Sequence, residues 1–91
     1  MIVKVKDFID YGFDENDSRV LLKSIDLSNL EEEIVLDFNG VKYFTTLFLN
    51  DLISGLKDNK FEARNLSDYG RELFNRCLDV HVTYRGANYN G

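Results

Sequence analysis

The strongest structural signal in this chain is the segment Ile34-Val35-Leu36-Asp37-Phe38-Asn39-Gly40-Val41-Lys42-Tyr43-Phe44-Thr45-Thr46-Leu47-Phe48-Leu49-Asn50-Asp51-Leu52-Ile53. It opens as a short apolar run that ends in one acid, which is typical of a buried central strand. Asn39-Gly40 then predicts a tight turn, because both residues tolerate a positive φ. Thr45 and Thr46 offer hydroxyl groups at the start of a helix whose apolar positions recur at helical spacing. We expect the rest of the chain to pack around this strand, turn and helix.

The chain before this segment predicts an edge strand and a helix. Residues 2–6 alternate between apolar residues and lysine, as a half-buried strand at a sheet edge does. Residues 8–13 are rich in aromatic side chains without a regular period, so we expect them to pack at the margin of the sheet. The polar residues 14–18 predict the capped start of a helix over about residues 17–28, with Leu30 near the end of its apolar face.

The chain after the segment predicts a strand, a helix and an ambiguous end. Residues 60–66 alternate weakly and indicate a third strand, which is followed by a helix that starts near residue 68. The apolar face of that helix is formed by Tyr69, Leu73, Cys77 and Val80. We interpret the end as helix to about residue 79 and an extended segment over 80–85, with a flexible tail at 86–91.

Strands and helices that alternate in this way predict an α/β layer sandwich, formed by a single domain over residues 1–85. Functional sites of open α/β sheets tend to lie at the carboxyl ends of central strands, which points to the turn after Asp37. The chain has 91 residues, enough for one modest core. At this size a partner or self-association, such as a homodimer, often adds stability.

Charge and composition exclude several classes of function. The net charge is −5 and the eleven basic residues are scattered, which argues against binding to nucleic acid or to an anionic membrane surface. One cysteine cannot form an internal disulfide, and the N-terminus lacks the apolar core of a signal peptide. We therefore expect a soluble cytoplasmic protein.

The chain offers few residues for catalysis, and we expect neither enzyme activity nor a metal or cofactor. Cys77 and His81 are four residues apart, but Cys77 continues an apolar stripe and is interpreted as a core residue. The pattern Asp14-x-Asn16-x-Ser18 begins like a calcium loop, yet Arg19 and Ile25 stand where that loop needs Gly and Glu. A phosphate-binding glycine loop and a nucleophile elbow are both absent from the sequence.

The turn and the start of the helix are the candidates for binding a partner. Asp37 could serve as a base or a magnesium ligand, but we favour a role in which it accepts backbone N–H bonds and fixes the turn. One of the two threonines should cap the helix, and the alternative for them is phosphorylation. An exposed aromatic residue here would be a good interface anchor. The predicted partner-binding residues are Asp37, Asn39, Gly40, Tyr43, Phe44, Thr45, Thr46 and Phe48.

Residues 34–53 resemble the STAS-like domain family of unknown function, a distant relative of the anti-sigma-factor antagonist (STAS) domains. The resemblance is carried by Asp37-Phe38-Asn39-Gly40-Val41 and by Thr46 through Leu52, and it extends loosely over 18–80. It implies a small α/β sandwich with a mixed sheet of roughly three to five strands and about three helices. It also implies no catalysis, and a histidine-kinase-like ATPase or another regulator as the protein partner.

The same resemblance identifies Thr46 as the candidate phosphorylation site. In the antagonist domains the turn reads Asp-Ser-Ser-Gly, and the partner kinase phosphorylates the first serine. In this chain Thr46 takes the place of that serine, Thr45 replaces the Asp, and Leu47-Phe48 replaces Ser-Gly. These departures favour a binding role over a phosphorylation switch.

Two functions therefore remain open from the sequence. The first is a non-enzymatic regulatory interaction domain that docks a protein through the strand, turn and helix at 37–52. The alternative is a small acidic inhibitor or decoy, of a kind that a mobile element or phage encodes, acting on a basic protein surface. The acids at 14–17 and 31–33 and the net charge of −5 motivate this alternative. Its binding should fall steeply with salt, whereas that of the first should depend on the turn.

Overall fold

Three strands and three α-helices alternate along the chain in the computed structural model, which describes residues 1–25 and 32–90, with side chains as far as Val80. The strands are β1 (Ile2–Lys4), β2 (Ile34–Asp37) and β3 (Phe61–Arg64). The helices are α1 (Glu15–Lys23), α2 (Thr46–Leu56) and α3 (Asp68–Asn90), and one 3₁₀ turn covers Val5–Asp7. The expected α/β fold, with a small sheet and three helices, is confirmed.

The central strand is β2, and it pairs in parallel with both neighbours in the order β1-β2-β3. Leu36 lies opposite Val3 on one side and opposite Ala63 on the other. The mixed sheet that the resemblance implied is therefore wrong for the described strands. Between each strand and the next lies a helix, and a helical crossover returns the chain to the end from which the previous strand started.

One face of the sheet packs against the helices and forms the core. The core residues from the sheet are Val3, Ile34 and Leu36, and those from the helices include Leu21, Phe48, Leu49, Leu52, Ile53, Leu56, Leu73, Phe74 and Cys77. The other face of the edge strands carries exposed or half-buried side chains, namely Ile2, Lys4, Glu62 and Arg64. The alternation predicted for the first strand is thus confirmed, although β1 is only three residues long.

The first and last helices differ in length from the sequence expectation. α1 begins directly after Asp14, whose carboxylate caps it by accepting the N–H groups of Asn16 at 2.9 Å and Asp17 at 3.4 Å. It ends at Lys23 rather than near residue 28, and Leu30 lies outside the described residues.

α3 continues to Asn90, so the extended segment expected over 80–85 is wrong. Adding residues to an existing helix is far easier than starting one, and the weak alternation of this segment does not overcome that advantage. The flexibility predicted for 86–91 stays a prediction. Among the described residues, no helix combines the length and the apolar character needed to cross a membrane.

Gly12 occupies a position where the structure has room for no other residue. A Cβ atom at this residue would lie 2.6 Å from Cδ2 of the fully buried Phe48 ring. The Gly12 N–H donates to the Tyr43 carbonyl at 3.1 Å, and its carbonyl accepts from the Thr45 N–H at 2.9 Å. These bonds form a parallel bridge that holds residues 11–13 beside residues 43–45.

We predict that Gly12→Ala lowers the free energy of unfolding by about 1–3 kcal/mol, because the added methyl group overpacks a rigid aromatic contact. Urea unfolding followed by circular dichroism measures this change. In a double-mutant cycle, Phe48→Val removes Cδ2 and Cε2 of the ring, which lie 2.6 and 2.8 Å from the added Cβ position, so the double variant should lose less stability than the sum of the two single losses. Strict additivity, or a Gly12→Ala variant as stable as wild type, would contradict the contact.

Candidate functional site

The turn after β2 is fixed by hydrogen bonds to its own backbone and to Asp37. The Val41 N–H donates to the Phe38 carbonyl at 2.9 Å, which closes the turn, and Gly40 has a φ of +86°. The Asp37 carboxylate accepts the Asn39 N–H at 3.0 Å. The structure therefore confirms that Asp37 fixes the turn, and a glycine supplies the positive φ that the turn needs.

Asn65, which directly follows β3, also forms a hydrogen bond with Asp37. The Asn65 side chain donates its Nδ2–H to the same carboxylate oxygen at 2.8 Å, and its backbone has a φ of +62°. This bond and the one from the Asn39 N–H hold the pKa of Asp37 below its usual value, with help from the positive charges of Lys4 and Arg64. Sequence reasoning missed Asn65. The sequence did contain a signal for Asn65, namely an asparagine directly after a predicted strand. Asparagine tolerates the left-handed region, and adjacent parallel strands end at the same edge of a sheet, which places this residue near Asp37.

The two threonines at the N-terminus of α2 have different roles. Thr45 is the cap: its hydroxyl accepts the Phe48 N–H at 3.2 Å and donates to the Phe13 carbonyl. Thr45 is half-buried and links the helix to the segment before α1. Thr46 is the first helical residue, and its side chain is exposed. Thr46 is therefore the hydroxyl that a second molecule can reach.

Three exposed aromatic rings lie next to this helix start. The ring of Phe13 lies 5.6 Å from that of Tyr11 and 5.5 Å from that of Tyr43, measured between centroids. About half of each side chain is accessible to solvent, and Leu47 in the first turn of α2 is exposed to the same degree. We call Tyr11, Phe13, Tyr43 and Leu47 the aromatic surface. Large apolar side chains on a protein surface are usually scattered, whereas the three rings here form a contiguous group.

Two of the predicted partner-binding residues lie beneath this surface and not on it. Phe44 is buried and packs edge-on against Phe38, with 5.3 Å between ring centroids, and Phe48 is fully buried in the core. Their predicted contact with a partner is therefore wrong. Phe48 lies against Gly12, whereas Phe44 lies between Phe38 and Gly70 of α3. Of the predicted residues, Asn39, Gly40, Tyr43 and Thr46 are exposed.

Several acids that suggested an acidic inhibitor have structural partners within the chain. Asp14 caps α1, and the Asp17 carboxylate accepts the Phe13 N–H at 2.8 Å. Glu32 forms an exposed ion pair with the N-terminal ammonium group at 2.9 Å, which lowers the pKa of its carboxyl group. Glu31 lies outside the described residues. Asp14 and Asp17 thus stabilise the start of α1, and Glu32 pairs with the N-terminal ammonium group.

The cysteine lies in the core, as its place on the apolar stripe predicted. Cys77 is buried on α3, and its burial raises the pKa of its thiol, which disfavours the reactive thiolate at neutral pH. The side chain of His81 lies outside the described residues.

Comparison with known proteins identifies one family. A family model described as a STAS-like domain of unknown function (DUF4325) matches residues 18–71, which is more than half of the chain. The matched region contains β2, the turn with Asp37, α2 and β3. Neither the curated proteins nor the solved structures include a significant match.

We predict that Asp37→Ala destabilises the fold near neutral pH and that this loss shrinks in acid. The folded-state pKa of Asp37 is depressed, so its contribution is present above the unfolded-state pKa of about 3.9 and disappears as the pH falls through the folded-state value. Urea midpoints of wild type and variant, measured from neutral pH to below pH ~3, test this dependence.

Asp37→Asn is the matched control for this experiment. Its amide oxygen still accepts a hydrogen bond but carries no charge, so its loss of stability near neutral pH should be smaller than that of Asp37→Ala. A difference between wild type and Asp37→Ala that stays constant across the pH range would show that the charge of Asp37 contributes nothing to the turn.

Proposed function

Because this chain belongs to the family of STAS-like domains of unknown function, we propose that it is a non-enzymatic regulatory domain that acts by binding a protein partner. The observation that carries the proposal is the aromatic surface beside the N-terminus of α2. The family resemblance adds the partner class, because the antagonist domains bind histidine-kinase-like ATPases. We propose an ATPase of that class, or a regulator similar to it, as the partner.

The aromatic surface has the properties of an interface anchor. Aromatic side chains are enriched in binding hot spots because they bury a large apolar area at a low cost in conformational entropy. Here the backbone beneath the rings is already fixed by the Gly12 bridge and by the Thr45 hydroxyl bond to Phe13. The rings are thus largely ordered before binding, which reduces the entropy lost when a partner docks.

Three of the candidate chemical groups, on Asp37, Thr45 and Cys77, help to hold the fold, which supports a binding role over catalysis. Asp37 accepts two hydrogen bonds that fix the turn, Thr45 caps α2, and Cys77 is a core residue. The alternative of an acidic inhibitor is less well supported, because Asp14, Asp17 and Glu32 already have partners within the chain.

Thr46 is the proposed point of regulation at this surface. It occupies the position of the phosphorylated serine in the antagonist domains, and it is exposed in the first turn of α2, next to Leu47. A phosphate here would be favourable for the helix, because its negative charge lies at the positive end of the helix dipole. The same charge would have to be desolvated when an apolar partner surface covers Leu47, so it would oppose docking.

We predict that Tyr43→Ala lowers partner affinity roughly 30-fold, as the loss of a hot-spot tyrosine typically does. Tagged wild-type and variant proteins capture the partner from lysate of the native cell, and titration of the purified partner then gives the two dissociation constants.

Phe8→Ala is the matched control, because Phe8 is an aromatic residue of similar exposure that lies beside Met1 and Ile2 instead. It should bind like wild type, and both variants should retain the wild-type circular dichroism spectrum. An affinity that falls equally in both variants, or in neither, would remove the aromatic surface from the proposal.

We predict that Thr46→Glu weakens the same interaction while the melting temperature stays at or above that of wild type. The acid mimics part of the charge of a phosphate and is favourable at the start of a helix. Thr46→Val keeps the shape of the side chain without charge, so its affinity should stay close to that of wild type. Equal affinity of Thr46→Glu and Thr46→Val would show that charge at this position does not regulate binding.

A further inference from the structure

The outer edge of β3 has unused backbone hydrogen-bonding groups. Along the parallel pairing with β2, the carbonyls of Lys60 and Arg64 accept the N–H groups of Ile34 and Phe38 at 2.9 and 3.0 Å. Backbone groups of a strand alternate in direction, so those of Phe61 and Ala63 point away from β2. No bond from the part of the chain that the structure describes reaches them. A strand edge of this kind is a template for pairing with another strand.

A groove lined by both apolar and polar side chains runs along this edge between β3 and α3. Its volume is about 530 Å³, and its apolar lining includes Phe61, Ala63, Leu66 and Leu78, all of them half-buried. Phe61 also packs edge-on against Phe74 of α3, with 6.4 Å between the ring centroids. A strand added at the β3 edge would cover these side chains, and the apolar area removed from water would add to the backbone hydrogen bonds.

The charges on β3 are complementary to a second copy of the same strand. If two β3 strands pair antiparallel with Ala63 opposite Ala63, the outward backbone groups of that residue bond to each other around a two-fold axis. Glu62 of each copy then lies directly opposite Arg64 of the other, in a non-hydrogen-bonded pair where side chains approach most closely. In the single chain these two side chains already form an exposed ion pair at 2.8 Å, so both face the same side of the sheet.

The other edge of the sheet, formed by β1, disfavours pairing with another chain. The β1 edge carries exposed Lys4 and is followed by exposed Lys6, and like charges on an edge discourage pairing with another chain. Only β3 combines free backbone groups, apolar cover and opposite charges among the described strands. Self-pairing of β3 is isologous, so it closes at two copies and does not lead to a filament.

We propose that this chain forms a two-fold symmetric homodimer through antiparallel pairing of β3, centred on Ala63. This proposal does not depend on the proposed function, because none of the residues of the aromatic surface takes part in the pairing. The strand has only four residues, so the dimer is in equilibrium with the monomer.

Sedimentation velocity of the purified full chain, from about 5 to 500 µM, tests the proposal. The mass should rise from 10.6 kDa towards twice that value as concentration increases. Ala63→Pro should remain monomeric throughout, because proline removes the outward N–H group but none of the N–H groups that bond to β2. Its circular dichroism spectrum should match that of wild type.

A charge swap tests the register independently of the proline variant. Glu62→Arg places like charges opposite each other at both symmetric positions, as Arg64→Glu does, so each single variant should raise the dimer dissociation constant roughly tenfold. The double variant Glu62→Arg/Arg64→Glu restores opposite pairs and should return the constant close to the wild-type value.

Two results would overturn the proposal. One is a wild-type chain that stays monomeric at the highest concentration, and the other is a β3 edge that pairs only with a strand of another protein. A dimer that persists in Ala63→Pro would place the interface elsewhere. Single and double charge variants that weaken the dimer equally would overturn the register.

Discussion

Parallel pairing of β2 with both of its neighbours is the constraint on which the rest of this structure depends. Parallel strands cannot be joined by hairpins, so the chain must cross back over one face of the sheet after β1 and after β2. Those crossovers are α1 and α2, and they supply most of the core that buries Ile34 and Leu36. The crossover after β2 also requires a turn between Asp37 and the start of α2. The topology of the sheet therefore determines where the candidate site lies. The exposed residues of the site are not needed for that topology and can serve another role.

A second layer of contacts connects this turn to the chain before α1. The parallel bridge at Gly12 and the hydroxyl of Thr45 fix residues 11–13 over the buried ring of Phe48. Tyr11 and Phe13 would otherwise belong to an irregular segment with no reason to adopt one conformation. The bridge brings Phe13 beside Tyr43, which lies thirty residues later in the chain. The positions of Tyr11 and Phe13 thus depend on the Gly12 bridge, on the Thr45 hydroxyl and on the close contact between Gly12 and the Phe48 ring.

Features determined by local sequence were predictable, and features determined by distant contacts were not. The burial of β2, the positive φ of Gly40 and a threonine cap for α2 follow from residues within one short segment, and all three are present. The sequence could not distinguish the exposed Tyr43 from the buried Phe44, because Phe44 is covered by contacts with Phe38 and with Gly70 of α3, which lies 26 residues later. Asn65 was missed for the same reason, since its bond to Asp37 spans 28 residues.

The residues that depart from the antagonist turn fall into two groups with different tasks. Thr45 and Phe48 point inward, where the first bonds the Phe13 carbonyl and the second packs against Gly12. These two replacements are the ones that hold the aromatic segment in place. Thr46 and Leu47 point outward, next to that segment. A glycine at position 48 would leave the 11–13 segment without the ring that lies against Gly12, so the position of the aromatic surface depends on Phe48.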